Sequence, residues 1–445
     1  MTAKNWGIVG GGIMGMTIAH RLARQGHRVT IFESAPELGG LVSSWKMPVL
    51  AGSDINEIEW DKFYHVILLS DFKTRNILKD IGVEDDIEWV ETKTGFYIDG
   101  QLHSMSDTVE FLKFPTLNLI DKFRLGLTIL AASKIKNWKR LEQIPVTTWL
   151  QKWSGTNTYN KIWLPLLRAK LGESYKRTSA VFIWATIQRL YGARRSGLKK
   201  EMFGFVKGGY KKVIEAFKET LLTEGVHIQL NQKVKEIKTA AGKVSVILAD
   251  KSIHEFDEVI VTLPSSVAAS LCPQLTVAEV EKLNAVEYLG VICVAVLLDK
   301  SISNFYVTNI TDSSIPFTGV IEMTALVDKK YLGGNALVYL PKYVVQDDPI
   351  FNQTDEEIQK YFVDNLKKMY PDITDGNIKF AGVAKAKHVI TVAKLGYSLS
   401  LPDIKTSIPG VYIVNTSHIK DGTLNVNETI TVAETKLEEI LTEPF

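Results

Sequence analysis

The chain has 445 residues and 45% hydrophobic content, enough for a large core and more than one core usually accommodates, so two or three domains are expected. Its 23% charged and 9% aromatic residues are ordinary for a soluble enzyme, and its only cysteines, Cys272 and Cys293, exclude a disulfide framework or a cysteine metal site, which fits a reducing compartment. The net charge of +2 conceals a basic middle, with 20 Lys and Arg against 4 Asp and Glu between Asp121 and Lys212, but no recognition motif accompanies it, so nucleic acid is not an expected partner.

The first predicted element is a short apolar strand over Lys4–Gly10. No charged-then-apolar leader precedes Trp6-Gly7-Ile8-Val9, so no signal peptide is expected. The strand runs into GxGxxG at Gly10, Gly12 and Gly15. Ile18, Leu22 and Ala23 then recur at helical spacing up to Gly26, and a second strand, Arg28–Phe32, ends at Glu33. In this βαβ setting each glycine has a task. The first allows the tight turn, the second lets a pyrophosphate reach the backbone, and the third lets helix and strand pack closely. The helix N-terminus offers free N–H groups to phosphate, and Glu33 can accept from ribose hydroxyls.

NAD and FAD both use such a unit. The stretch Ile31-Phe32-Glu33-Ser34-Ala35-Pro36-Glu37-Leu38-Gly39-Gly40 separates them, because a glycine pair follows the acid as E-x5-GG. This resembles the extended fingerprint of the FAD-dependent amine oxidase, protoporphyrinogen oxidase and phytoene desaturase superfamily. The resemblance implies a second side-chain-free segment beside the pyrophosphate of an extended FAD. It implies contacts from Gly10, Gly12, Ile13, Met14, Gly15, Glu33, Ser34, Gly39, Gly40 and Leu41. Many members carry arginine where this chain has Leu41.

Residues 59–71 contain Phe63-Tyr64-His65. This is similar to the "IFH" element of UDP-galactopyranose mutases, as are the helix that follows and the hairpin at Tyr97-Ile98-Asp99-Gly100-Gln101. The resemblance implies a segment passing over the flavin. His65 becomes a candidate partner or proton donor there, since imidazole titrates near neutral pH. The alternative is a packed core histidine.

Residues 110–200 read as helical, with Trp138, Trp149, Trp153, Trp163 and Trp184 among the basic residues. Leu125–Ser133, followed by Lys134, Lys136, Lys139 and Arg140, is too short to span a bilayer. It is expected as a buried helix, with a helix lying on a membrane as the rival. The run Pro165–Gly172 resembles the "P-L-x-x-x-K-x-G" element of protoporphyrinogen oxidase-like and squalene or carotenoid desaturase-like branches. Arg168 and Lys170 are therefore candidates for an anionic group, with solvated charges on a core-lining helix as the alternative.

Lys207-Gly208-Gly209-Tyr210 leads into an amphipathic helix with Val213, Ile214 and Phe217. A strand at 225–230, a hairpin around Gly242 and a strand at 257–264 follow. This order is similar to the middle of the superfamily and implies that the Val234 backbone meets the adenine end. Residues 290–350 alternate as β-strands and are expected to wall a substrate chamber, with Tyr339 and Tyr343 as candidate ligand contacts. Near the C-terminus, Pro409–Asn415 reads as a turn and buried strand, and Leu424–Ile430 opens a helix to about Leu441. These resemble the last strand and helix of the superfamily, whose N-terminus faces the flavin ring. That implies Asn415 on a ribityl hydroxyl and Asn425, Val426 and Asn427 at the ring. Val414-Asn415 and Asn427 replace the common glycine-acid pair and helix-turn glycine.

The expected fold is α/β: a glutathione-reductase-type FAD domain with an inserted mixed-sheet substrate domain and a helical cap. The expected division is FAD-binding segments at 1–58, 203–265 and 401–445. Substrate-domain segments fall at 59–110 and 266–400, and the basic cap at 111–202. The expected activity is FAD-dependent oxidation by hydride transfer to flavin. The expected substrate is large, mainly apolar and anionic at one group: an isoprenoid, a lipid-linked intermediate or a porphyrin. An undetermined acceptor reoxidises the flavin. No nucleophile elbow or metal motif competes with this, and no metal is expected. The alternatives are mutase-like non-redox chemistry on a nucleotide sugar and a flavin-binding protein without turnover. The expected location is cytoplasmic, with peripheral membrane contact through the basic cap.

Overall fold

The computed structural model describes residues 2–51, 54–106, 108–192 and 202–443. A parallel sheet gathers five strands from distant parts of the chain. Their order is His227–Gln229, Arg28–Phe32, Asn5–Val9, Glu258–Val261 and Val411–Ile413. Asn5–Val9, Glu258–Val261 and Val411–Ile413 are short and almost wholly buried, as strands of a parallel sheet covered on each side require, while the edge strand His227–Gln229 is polar. Ile8, Ile31 and Ile260 pack against helices Ile13–Arg24, Gly209–Thr223 and Val426–Thr442 through Ile18, Leu22, Phe217 and Leu437. Their neighbours Val9, Phe32, Val259 and Val261 point the other way. They meet a three-stranded antiparallel sheet built from Val234–Ala240, Lys243–Leu248 and Ile253–Phe256.

A seven-stranded mixed sheet forms the second layer. It runs Ile378–Thr391, Tyr288–Leu298, Ala336–Val345, Gly319–Glu322, Val307–Ile310, Thr94–Ile98 and Gln101–Ser104. Val307–Ile310 pairs in parallel with Thr94–Ile98, and the other pairings are antiparallel. Every residue of Tyr288–Leu298 is buried, and strand periodicity sorts them. Cys293, Ala295 and Leu297 share a core with Trp60, Phe203 and Phe205. Ile292, Val294 and Val296 face Ile358, Phe362 and Leu366 of helix Asp355–Met369. The edge strand Ile378–Thr391 is not among the expected strands, because Lys379, Lys385 and Lys387 break its apolar pattern, as lysines on edge strands commonly do.

Helices Thr108–Lys113, Leu119–Lys134, Val146–Thr158, Leu164–Leu171 and Val181–Gly192 form the cap. Its own core includes Leu125, Trp149, Leu150, Trp163 and Trp184. One expectation is corrected here. Leu119–Lys134 is not a buried helix. Leu125, Thr128 and Ala132 are buried, but Leu119, Ile120, Phe123, Leu127 and Leu130 are exposed. Among the cap's basic residues, Arg194, Arg195, Lys199 and Lys200 lie outside the described residues.

Candidate cofactor and substrate site

The two glycine segments lie side by side. Gly39 donates its N–H to the Gly11 carbonyl at 2.9 Å, and Gly12 and Gly39 form a parallel bridge. Gly10 and Gly39 take φ of +111° and +120°, values that side chains rarely tolerate. A Cβ on Gly15 would stand 2.0 Å from the Gly10 carbonyl, so only glycine lets the helix start this close to the strand. Helix Ile13–Arg24 begins at Gly12 with no side-chain cap. Its first N–H groups and positive dipole end therefore stay open to the cradle. Ile13 and Met14 form the buried first turn.

Glu33 closes one side of this cradle. Its carboxylate accepts from Gly11 N at 2.7 Å and Ala35 N at 2.8 Å, with Ser34 Oγ at 3.3 Å. Leu41 sits in the short turn Gly40–Val42 that follows the glycine pair. Glu33 N donates to the Gln229 carbonyl, and Asn231 N and Gln232 N donate back to Ala35 and Glu33. These bonds hold Val234, two residues further on, beside the Glu33 turn. Bare backbone, open N–H groups and one carboxylate suit a dinucleotide pyrophosphate and its ribose.

The C-terminal return contributes backbone more than side chains. Asn415 is 1% exposed; its amide donates to the Leu263 carbonyl at 2.9 Å and Ser265 Oγ at 3.2 Å, and accepts from Ser417 N at 3.0 Å. A buried amide must be satisfied, and this one is satisfied by the fold. The expected ribityl contact is corrected accordingly: Asn415 splices two strand ends. The Asn427 side chain is likewise committed to the fold, which leaves its backbone N–H for a ligand. Its Oδ1 accepts from Lys73 N at 3.0 Å and Thr74 N at 3.3 Å, so it caps helix Phe72–Asp80. Asn425 caps its own helix through Glu428 N at 3.0 Å. The first-turn N–H groups at Val426 and Asn427 are what this helix can offer a ligand.

His65 does not stand alone. Its Nδ1 lies 3.7 Å from Asp61 Oδ2, and its ring is 5.0 Å from the Tyr210 ring. Asp61 is buried and accepts from Tyr210 N at 2.8 Å. The Tyr339 hydroxyl donates to the Asp61 carbonyl. Asp61 thus joins strand Asp54–Asp61, helix Gly209–Thr223 and the mixed sheet. Sequence reasoning passes over it, although its i,i+4 spacing to His65 is visible. Tyr339 is fully buried, so its expected substrate contact becomes a core role. Burial and the nearby Asp61 charge raise its pKa well above the ordinary phenol value.

Tyr343 and Tyr64 remain partly exposed, and their hydroxyls lie 2.9 Å apart. Burial pushes the Tyr64 phenol up to about 12, and burial also raises Tyr343, so both stay neutral. Lys170 reaches over Tyr343, with Nζ 3.6 Å from its ring centroid. Burial pulls its amine down to about 7, while the π face favours the cation. Arg168 does not join it. Two positions on a helix are about 200° apart, and Arg168 lies over Tyr175 instead, 5.7 Å from that ring. Trp45, Phe63, Tyr64, Tyr343 and Phe380 pack along the same partly buried wall. Arg189, which sequence reasoning misses, joins the cap to this region by a 3.1 Å bond to buried Asp71. The two residues are 118 positions apart, and nothing local signals the contact.

Comparison with known proteins agrees with this geometry. The zeta-carotene desaturase of Synechocystis sp. is 23% identical over 91% of this chain and 91% of its own length. The 15-cis-phytoene desaturase of Narcissus pseudonarcissus is 22% identical over 90% of this chain and 72% of its own. An oxidoreductase from Methanosarcina mazei shares the fold, with a TM-score of 0.73 and 18% identity over 98% of this chain and 100% of that one. Residues 13–389 match the flavin containing amine oxidoreductases. Since that match takes in most of the sequence, the chain belongs to the flavin containing amine oxidoreductase family, as an FAD-dependent oxidoreductase.

Proposed function

We propose that the enzyme oxidises a large, mainly apolar substrate that carries one anionic group, such as an isoprenoid acid, a lipid-linked intermediate or a porphyrin. One observation carries this reading: the Lys170 amine, paired with no carboxylate among the described residues, lies over the Tyr343 ring beside an aromatic wall. The relatives named as carotenoid desaturases support the apolar part of the reading.

Bound FAD supplies the hydride acceptor. The chain's own residues do the rest. Gly10, Gly12, Gly15, Gly39 and Gly40 would give the pyrophosphate close access to backbone, Glu33 would take the ribose, and the Val234 backbone would meet the adenine end. The N-terminus of helix Val426–Thr442 has free first-turn N–H groups and a positive dipole end, which would stabilise negative charge on a flavin ring held there. Trp45, Phe63, Tyr64 and Tyr343 keep water out and align the apolar body of the substrate. Lys170 holds its anionic end. His65, with Nδ1 3.7 Å from Asp61, is the candidate to accept a proton from bound substrate or deliver one to it. Segments 1–58, 203–265 and 401–445 make up the FAD unit, and 59–110 and 266–400 the substrate unit. The basic cap, 111–202, gives the enzyme peripheral contact with a membrane.

The test is spectroscopic. Purified protein should be yellow and release FAD on heating. Without air, an apolar acid or phosphate should bleach the flavin, and its neutral analogue should bleach it far less readily. Equal bleaching by the two would remove the anion from the reading. Bleaching by small polar amines alone would overturn it.

A further inference from the structure

We infer that the enzyme docks on an anionic bilayer through the outer face of helix Leu119–Lys134, with Leu119, Ile120, Phe123, Leu127 and Leu130 below the headgroups. This rests on the function proposed above and narrows its membrane contact to one surface.

The helix is apolar on two opposite sides. Leu125, Thr128 and Ala132 face the cap core. Leu119, Ile120, Phe123, Leu127 and Leu130 fall within about 100° of one another on the other side. Their exposures are 74%, 72%, 67%, 42% and 47%. Val109 and Leu112 of the preceding helix are also exposed. An ordinary surface helix carries polar residues there, and an apolar stripe of this length marks a contact surface.

The stripe is held rigidly from beneath. Asn118 caps the helix by accepting from Asp121 N at 2.9 Å. Lys122 Nζ donates to the Leu112 carbonyl at 2.7 Å, and Gln188 donates to the Ala132 carbonyl at 2.7 Å. The helix has 16 residues, about 24 Å at 1.5 Å per residue. Among the described residues no helix is long and apolar enough to cross a membrane. A short helix with one apolar face against its own protein and another toward solvent is suited to lying in the interface plane.

Charge names the occupant. Residues 111–140 hold seven Lys and Arg and one acid, Asp121. That acid is buried and accepts from Asn157. Lys113 lies before the stripe, and Lys134, Lys136, Lys139 and Arg140 lie after it, all exposed. Both ends of the apolar face are therefore positive, the pattern that anionic headgroups attract. A second copy meeting this face would set like charge against like.

The test uses the FAD-loaded full chain with phosphatidylcholine vesicles, with and without phosphatidylglycerol. Co-sedimentation is expected on the anionic vesicles and is expected to weaken with added salt. Phe123→Asp with Leu127→Asp should weaken it by roughly tenfold or more. Lys136→Glu with Lys139→Glu should do the same. Both pairs are exposed, so flavin absorbance per protein and the melting temperature should hold. Unchanged binding by either variant overturns the inference, as does absence of binding by the wild type. A concentration-dependent dimer that the Phe123/Leu127 variant abolishes, without vesicle binding, assigns the face to a second copy and also overturns it. Vesicle binding needs no substrate, so failure of the proposed oxidation would leave this result standing.

Discussion

Lys170 owes its behaviour to its surroundings. Burial of its amine brings the pKa to about 7, within the working range of most enzymes. Below that value the side chain is a cation that can hold an anion; above it the amine is neutral and the attraction fades. KM for an anionic substrate should therefore rise as pH passes upward through about 7, while KM for a neutral analogue stays flat. Lys170→Arg keeps its charge across the range and should remove the pH dependence. Lys170→Met should leave a high KM at every pH. His418 offers a second residue-scale test, this time of stability. It is buried, its Nδ1 accepts from Asn415 N and its Nε2 donates to the Pro402 carbonyl. Burial lowers its pKa to about 4. Between 4 and the ordinary value near 6.5 the unfolded chain binds the extra proton and the native protein does not. The stability from neutral His418 is thus fully present above about 6.5 and is lost as pH falls toward 4. The linkage amounts to roughly 3 kcal/mol. The melting temperature should fall across that window, and His418→Gln should flatten the slope while lowering stability at neutral pH.

At the scale of single elements, what was legible in the sequence was what short-range pattern controls. The turn Gly10–Gly15 and the alternation along Tyr288–Leu298 depend on neighbours a few residues apart. The glycine geometry at Gly39 follows from the same local logic. Partners far apart in sequence were not legible. Asn427 looks like a misplaced helix-turn residue until its bonds to Lys73 N and Thr74 N, more than 350 positions away, are seen. Asp61 gives no sign of its contact with Tyr339. Helix Leu119–Lys134 is apolar on two opposite sides, a pattern that reads as burial between neighbours. Whether the second side is covered depends on which elements pack nearby, and periodicity does not carry that information. Asn427→Ala should untie helix Phe72–Asp80 from the C-terminal helix. With two N–H groups losing their acceptor, the cost should be about 1–2 kcal/mol. The checks are a lower melting temperature and faster amide exchange confined at first to residues 72–80.

For the whole molecule, the cradle belongs to no single stretch of chain. Its glycines and Glu33 lie in the first forty residues, yet the sheet beneath them needs strands from the middle and the C-terminus. Arg21 on the N-terminal helix pairs with Asp80 at 2.8 Å and Glu434 at 2.7 Å, and Lys73 pairs with the same Glu434 at 2.6 Å. These pairs are partly exposed, and each contributes little by itself. Packing contributes more. Ile430, Ala433, Leu437 and Ile440 of the last helix share one core with Ile8, Ile18 and Leu22. A chain ended before Pro409 would lose strand Val411–Ile413, leave one edge of Glu258–Val261 unpaired and uncover that core. The fingerprint would be intact in sequence and without support in space. Such a protein should fail to retain FAD and should melt without a cooperative transition. The measurements are flavin absorbance per protein and calorimetry. A shortened chain that stays yellow and melts cooperatively would show that the first two segments make a self-sufficient FAD site, and that the C-terminal return serves the flavin ring alone.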